Sequence, residues 1–192
     1  MEANVEFADV ATPIGTFRVV YEGEKVRSTD LRERGHSQRA VPEGATQRRP
    51  PFRKGTAPSQ FAEYFRGDRT EFELSAEPTV GSEFDRTIWR ELSRVPAGET
   101  VTYGELARRT GHKGAARAVG GAMHRNPLPI LIPCHRVVGE DGDLTGFGLG
   151  LWRKRWLLDR EGAWPLKSKS SDGPRPRGQR TLDARSTPTH RP

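Results

Sequence analysis

The chain has 192 residues, 33% of them hydrophobic and 30% charged, with a net charge of +7 and a single cysteine. One cysteine excludes an internal disulfide and a cysteine-based zinc site, which fits a cytosolic protein. No stretch is apolar enough to span a membrane, and the opening MEANVEFADV lacks the basic and apolar regions of a signal peptide. The apolar content is low for a globular protein, so part of the chain is not expected to pack.

Thr12–Gly23 (TPIGTFRVVYEG) alternates like two strands around a Pro-Ile-Gly turn. The stretch from about 24 to 56 is polar, basic and broken by Pro and Gly, and reads as loop or disorder. SQFAEYFRG places Phe61, Tyr64 and Phe65 at helical spacing, with Ser59 a candidate N-cap and Gly67 a stop. Thr70–Leu74 (TEFEL) alternates like a short strand. Residues 1–76 thus suggest a small α+β unit, and Glu77–Ser82 a linker.

Over 81–164 the pattern sharpens. Ser82 is a candidate N-cap for a helix with Phe84, Ile88, Trp89 and Leu92 on one face. TYGELARRTG is a short helix capped by Thr102 and closed by Gly111. GAARAVGGAMHRN is another, stopped by Asn126-Pro127. Two short helices around a glycine-containing turn suggest helix-turn-helix. LTGFGLGLW is a glycine-rich loop, and LWRKRWLLDREG a last helix with Trp152, Trp156 and Leu157 on one side. From Pro165 on nothing is periodic, and residues 165–192 read as a disordered basic tail.

The excess charge lies mostly outside the patterned region. Residues 165–192 hold seven basic and two acidic residues, residues 25–54 nine and three, and residues 81–164 thirteen and ten. Between Glu105 and Glu140, however, there is no Asp or Glu, while Arg108, Arg109, Lys113, Arg117, Arg125 and Arg136 fall there. That is a cationic patch of the kind phosphate contacts require. The second helix of the pair offers Ala115, Ala116, Ala118, Gly120, Gly121 and Ala122 with one arginine, Arg117. Glycine costs about 1 kcal/mol relative to alanine inside a helix. Small residues let a backbone approach closely, either into a minor groove about 6 Å wide, with Arg117 as a wedge, or against another helix. The helix alone leaves both readings open.

Cys134 lies in ILIPCHRVVG with His135 beside it. A thiol is a poor nucleophile until a base takes its proton. His135 is a candidate base, directly or through a water, with Glu161 or Glu105 to orient the imidazole. Adjacent residues on a strand face opposite ways, so the pair must lie in a turn to cooperate. A buried lone cysteine that merely packs is the plainer alternative.

PCHRV preceded by NPLPILI, with YGELA and AARAVGGAM upstream and RKRWLLDREG downstream, resembles the O6-alkylguanine-DNA alkyltransferases. The resemblance is close over about 82–162; TPIGTFRVV, AEYFRG and EFEL are similar to the family's N-terminal domain. It implies an α+β protein: a shortened ribonuclease-H-like domain, then a mostly helical, winged-helix-like DNA-binding domain. Cys134 resembles the alkyl acceptor; His135 and Glu161 resemble the rest of a Cys–water–His–Glu relay; Asn126 resembles the hinge asparagine; Tyr103 resembles the pocket tyrosine that protonates the leaving purine. Arg117 resembles the finger replacing the flipped base, with Ala116, Gly120, Gly121, Arg125 and Arg136 beside it on DNA. Tyr103, Met123, Cys134, Val137 and Gly148 would bind the substrate base, Gly148 through its N–H and Cys134 and Val137 through their carbonyls. The implied activity is single-turnover transfer from O6-alkylguanine, and O4-alkylthymine, in the minor groove of duplex DNA. No cofactor or metal is implied, and a cytoplasmic monomer is. Phe147, Leu149 and Trp152 lie near the substrate loop. Rival readings are a lesion-binding protein without transfer, a helix-turn-helix regulator, and a thiol protease.

Overall fold

The computed structural model describes residues 4–33 and 39–164. The fold is α+β, with a sheet built first and helices after it. Strands β1 (Glu6–Thr12), β2 (Gly15–Glu22), β3 (Lys25–Leu31) and β4 (Thr46–Arg48) form one sheet in the order β3-β2-β1-β4. β1–β2 and β2–β3 are antiparallel, whereas β4 joins β1 in parallel. Helix α1 (Ala57–Arg66) packs on β1 and β2 and buries Phe61, Tyr64 and Phe65.

Strand β3 corrects the expectation of a loop over 24–56. Its polar alternation hid it: only Val26, Thr29 and Leu31 are buried, and a register shift between Val20 and Tyr21 breaks the pairing pattern. Helix α1 starts at Ala57 with Thr56 as N-cap, and Ser59 lies inside it, donating to Glu63. Gly67 does end it, at φ 108°, where a side chain would be strained. Residues 70–74 form no strand; only Ser75 bridges to Lys25.

Helix α2 (Glu83–Leu92) begins at the expected Ser82, with a capping box closed by Asp85. It is followed by β5 (Val101–Thr102), α3 (Tyr103–Arg109), α4 (Ala116–His124), a single 3-10 turn (Cys134–Arg136), β6 (Val137–Val138) and α5 (Leu151–Arg160). Thr102 caps α3, its side chain accepting from the Glu105 N–H at 3.1 Å. Trp89 ties α2 to α4: it is 1% exposed, and its indole donates to the Ala122 carbonyl at 2.9 Å. Truncating such a residue costs about 3–5 kcal/mol. β5 and β6 pair in parallel, fastening the entry of α3 to the exit of the 3-10 turn.

Helix α5 departs from the expected apolar face. Trp152 is 56% exposed, while Arg153 and Lys154 are buried with Leu157 and Leu158. Arg153 spans the two halves of the fold, donating to Ile14 O at 2.7 Å and pairing with Glu33. The tail expected from Pro165 on lies outside the described residues. Among the described residues, no helix is long and apolar enough to cross a membrane.

Candidate active site

The segment between α4 and the 3-10 turn carries the acceptor candidate. It is held in one unusual conformation. Ile130 is a buried β-branched residue at φ 81°, a region such residues avoid. The surroundings impose it. Leu128 O accepts from Ile132 N at 2.8 Å. From β3, Thr29 donates its N–H to Pro127 O at 3.2 Å and its hydroxyl to Pro129 O at 2.8 Å. Arg39 donates to the carbonyls of Asn126 and Pro127.

Asn126 sits at the centre of this segment, 4% exposed. Its Oδ1 accepts from Leu128 N at 2.9 Å, which fixes the amide's orientation. Its Nδ2 then donates to Ile132 O at 2.8 Å and to Cys134 Sγ at 3.2 Å. Cys134 and His135 lie in a 3-10 turn, so their side chains do not alternate to opposite faces as on an extended strand. Burial pushes the Cys134 thiol up, against the bond from Asn126 and the attraction of Lys154. The resting group is therefore a thiol that needs a base.

His135 is fully buried, and burial lowers its pKa, so it is neutral near pH 7. Its Nε2 lies 3.0 Å from Glu161 Oε1. Burial alone would raise the Glu161 carboxyl, but His135 and Arg136 outweigh it and hold the group well below the usual carboxylate range. An ionised Glu161 makes Nε2 the donor, which leaves Nδ1 as the unprotonated nitrogen of a neutral ring. Nδ1 is the one buried side-chain polar atom without a hydrogen bond among the described residues. A buried lone pair with no protein partner is what a general base needs. Glu105, the other candidate orienter, is spent on Arg108 and Arg109.

Cys134 opens into a cavity of about 600 Å³. Tyr103, Gly120, Met123, His124, Asn126 and Gly148 line it, with Phe147 and Leu149. The half-buried Tyr103 donates its hydroxyl to Gly146 O at 3.1 Å, and burial raises its pKa. A side chain at Gly120 would begin 3.9 Å from the Tyr103 ring, so glycine there widens the mouth. A larger groove of about 850 Å³ lies behind residues 130–133, but Cys134 does not line it.

Several expected residues are placed differently. Arg136 is 8% exposed, with its guanidinium on Glu161 (2.7 and 2.9 Å) and on Val95 O (2.6 Å). Its guanidinium is thereby engaged within the protein, beside the His135–Glu161 pair. Val137 is absent from the cavity wall, and its carbonyl accepts from Lys154 Nζ. Arg125 is more than half exposed but paired with Asp85 at 2.6 Å. Ala116 and Gly121 lie on α4 outside the cavity, and Arg117 is exposed on its first turn. His124, exposed at the last residue of α4, also lines the cavity.

Sequence reasoning missed Thr29, Asp30 and Arg39, which bring the first half of the chain into the cavity wall. It also missed Lys154, fully buried and bonded to Thr145 O at 2.6 Å. Burial pulls its pKa down to about 8. A lysine two residues after the glycine-rich loop, on a helix expected to turn Trp152, Trp156 and Leu157 to one side, was the available signal.

A buried thiol, an imidazole held by a carboxylate, and a cavity large enough for a ligand are the parts that a site with a reactive cysteine requires. The model of the 6-O-methylguanine DNA methyltransferase DNA-binding domain matches residues 83–163. A methylated-DNA–protein-cysteine methyltransferase of Mycolicibacterium paratuberculosis is 42% identical over 157 residues, covering 82% of this chain and 92% of that protein. One from Methanosarcina acetivorans is 38% identical, covering 82% and 98%. The structure of Mycobacterium tuberculosis OGT in complex with DNA is similar with a TM-score of 0.71 and 37% identity, covering 83% of this chain and 94% of that one. The chain belongs to the methylated-DNA–protein-cysteine methyltransferase family.

Proposed function

We propose that this chain repairs DNA by moving the alkyl group of O6-alkylguanine irreversibly onto Cys134. The observation that carries the reading is the Asn126–Cys134 bond at the wall of the cavity, with the buried His135–Glu161 pair starting at the next residue. The damaged atom of O6-alkylguanine lies inside the base stack, so the nucleotide must rotate out, at a cost of a few kcal/mol. Helix α4 would lie in the minor groove, where its small residues permit close approach, with Arg117 filling the space of the missing base.

The chemistry follows from the site. The Cys134 thiol gives its proton through a water to His135 Nδ1. Glu161 stabilises the imidazolium, and Asn126 stabilises the thiolate. Sγ attacks the alkyl carbon, the C–O6 bond breaks, and its electron pair goes to the purine. Tyr103 supplies a proton to the departing base, exchanging its bond to Gly146 for one to the substrate. The thioether product has no easy leaving route, so each molecule acts once. The same pocket would accept O4-alkylthymine, and the protein would act as a cytoplasmic monomer.

Incubation with methylated duplex DNA should add one methyl group, about 14 Da, to the peptide containing Cys134. Multiple turnovers, or modification elsewhere, would refute the assignment. Binding without any mass change would favour a lesion-binding protein instead.

A further inference from the structure

Glu161 receives a fourth hydrogen bond, and it comes from the first half of the chain. The Tyr64 hydroxyl on α1 donates to Glu161 Oε1 at 2.7 Å. The same oxygen accepts from His135 Nε2 at 3.0 Å and Arg136 Nη2 at 2.7 Å, while Arg136 Nε occupies Oε2 at 2.9 Å. Tyr64 is 1% exposed and cannot relax into solvent. Arg160 holds it from the other side, donating to the Tyr64 carbonyl at 2.9 Å with its guanidinium 5.4 Å from the ring centre.

We infer that Tyr64 is a positioning residue of the relay, its hydroxyl fixing Glu161 Oε1 and setting how strongly that oxygen holds the His135 imidazole. The inference rests on the relay reading above. A buried phenol needs some acceptor, and a nearby carbonyl would satisfy it. Here the acceptor is the carboxylate that orients the base. Three donors share one oxygen, so each weakens the hold of the others. Arg136, Lys154 and Arg160 are the other charged groups acting on this cluster. They are cations in every variant considered below, so the sign of the change comes from the hydroxyl.

Without that hydroxyl, the charge on Oε1 is less stabilised and the oxygen becomes more basic. It then binds the imidazolium more tightly, and His135 keeps its proton to higher pH. A base that is still protonated cannot take the thiol proton. The acid limb of the rate profile therefore moves up in pH. A stronger donor at the same place moves it down.

The test measures the rate of Cys134 alkylation by free O6-benzylguanine across the histidine titration range, using the full chain. Tyr64→Phe should shift the acid limb upward by about half a pH unit or more. A residue that only packs would lower the melting temperature and leave the limb in place, and that result would overturn the inference. His135→Ala reports on the relay itself. If it keeps the wild-type rate and profile, the relay fails and Tyr64 fails with it. If His135→Ala loses the rate while Tyr64→Phe matches the wild-type profile, only Tyr64 fails. Should Tyr64→Phe not fold, 3-fluorotyrosine placed at position 64 alone keeps the ring and strengthens the donor. It should move the limb downward, and an unmoved limb would again overturn the inference.

Discussion

Asn126→Ala tests whether the hinge tunes the thiol or merely shapes the chain. The substitution removes three hydrogen bonds from a residue 4% exposed. Leu128 N–H loses its acceptor and stays buried, which costs about 1–3 kcal/mol. Ile132 O still accepts from Cys134 N at 2.8 Å, so its loss is smaller. The third bond matters for rate. A hydrogen bond to a charged group is worth about 1.5–3 kcal/mol, and every 1.4 kcal/mol is roughly tenfold, so the thiolate should form about ten to a hundred times less often. Burial already pushes Cys134 up, and Asn126 is the first group opposing it. Its removal should move the pH dependence of thiol reactivity to higher pH. The assay is single-turnover transfer from methylated duplex DNA, alongside iodoacetamide labelling of Cys134 against pH. Asn126→Asp sharpens the test, since it keeps an acceptor for Leu128 N–H but sets a negative charge beside the sulfur. It should react more slowly still. A stability loss in Asn126→Ala with an unchanged pH profile would refute the tuning role and leave a purely structural hinge.

How much of this was legible in the sequence depends on where each residue's partner lies. Helices α2 and α3 are capped by Ser82 and Thr102 as expected, because capping is local and its residue preferences are strong. The motif around Cys134 pointed to His135 and Glu161 through family resemblance; spacing alone also allowed Glu105, which the fold spends on two neighbouring arginines. What escaped was long-range. Strand β3 reads as loop because its outer face is polar, yet its Thr29 holds residues a hundred positions away. Tyr64 reads as a helix-face aromatic, and nothing local shows that its hydroxyl reaches Glu161. Arg136 looks like a free cation in an acid-free stretch until the fold supplies a carboxylate from α5's end. Charge counted along a chain overstates a cationic surface for this reason, since Arg108, Arg109 and Arg125 are also paired.

Three further outcomes are expected. Glu161→Gln leaves the buried Arg136 without its counter-charge, which costs about 3–5 kcal/mol at neutral pH. Because the carboxyl is depressed in the fold, its stabilisation is full above the unfolded value of 4.5 and is lost on acidification. Denaturant unfolding of the variant should therefore show a flatter acid decline, and an equally steep one would count against the network. Lys154→Met removes the buried ammonium that tethers Thr145 O and Val137 O and attracts the Cys134 thiolate, so substrate affinity and the transfer step should both fall. Its wild-type pKa of about 8 lies below the ordinary 10.5, so wild-type stability should rise between those values as the folded state sheds a proton that the unfolded chain keeps. The variant should lack that rise. Arg117→Ala concerns DNA alone. The side chain is exposed, lies outside the cavity wall and is just under one helical turn from Gly120 toward the start of α4. If it holds the flipped state, the variant should repair duplex DNA more slowly yet alkylate at the wild-type rate with free O6-benzylguanine, which needs no flipping. Duplex affinity measured without a lesion should change less than lesion repair, because a single exposed cation contributes only modestly to non-specific binding. Equal losses on duplex and free base would place Arg117 in the support of the fold instead of at the vacated base.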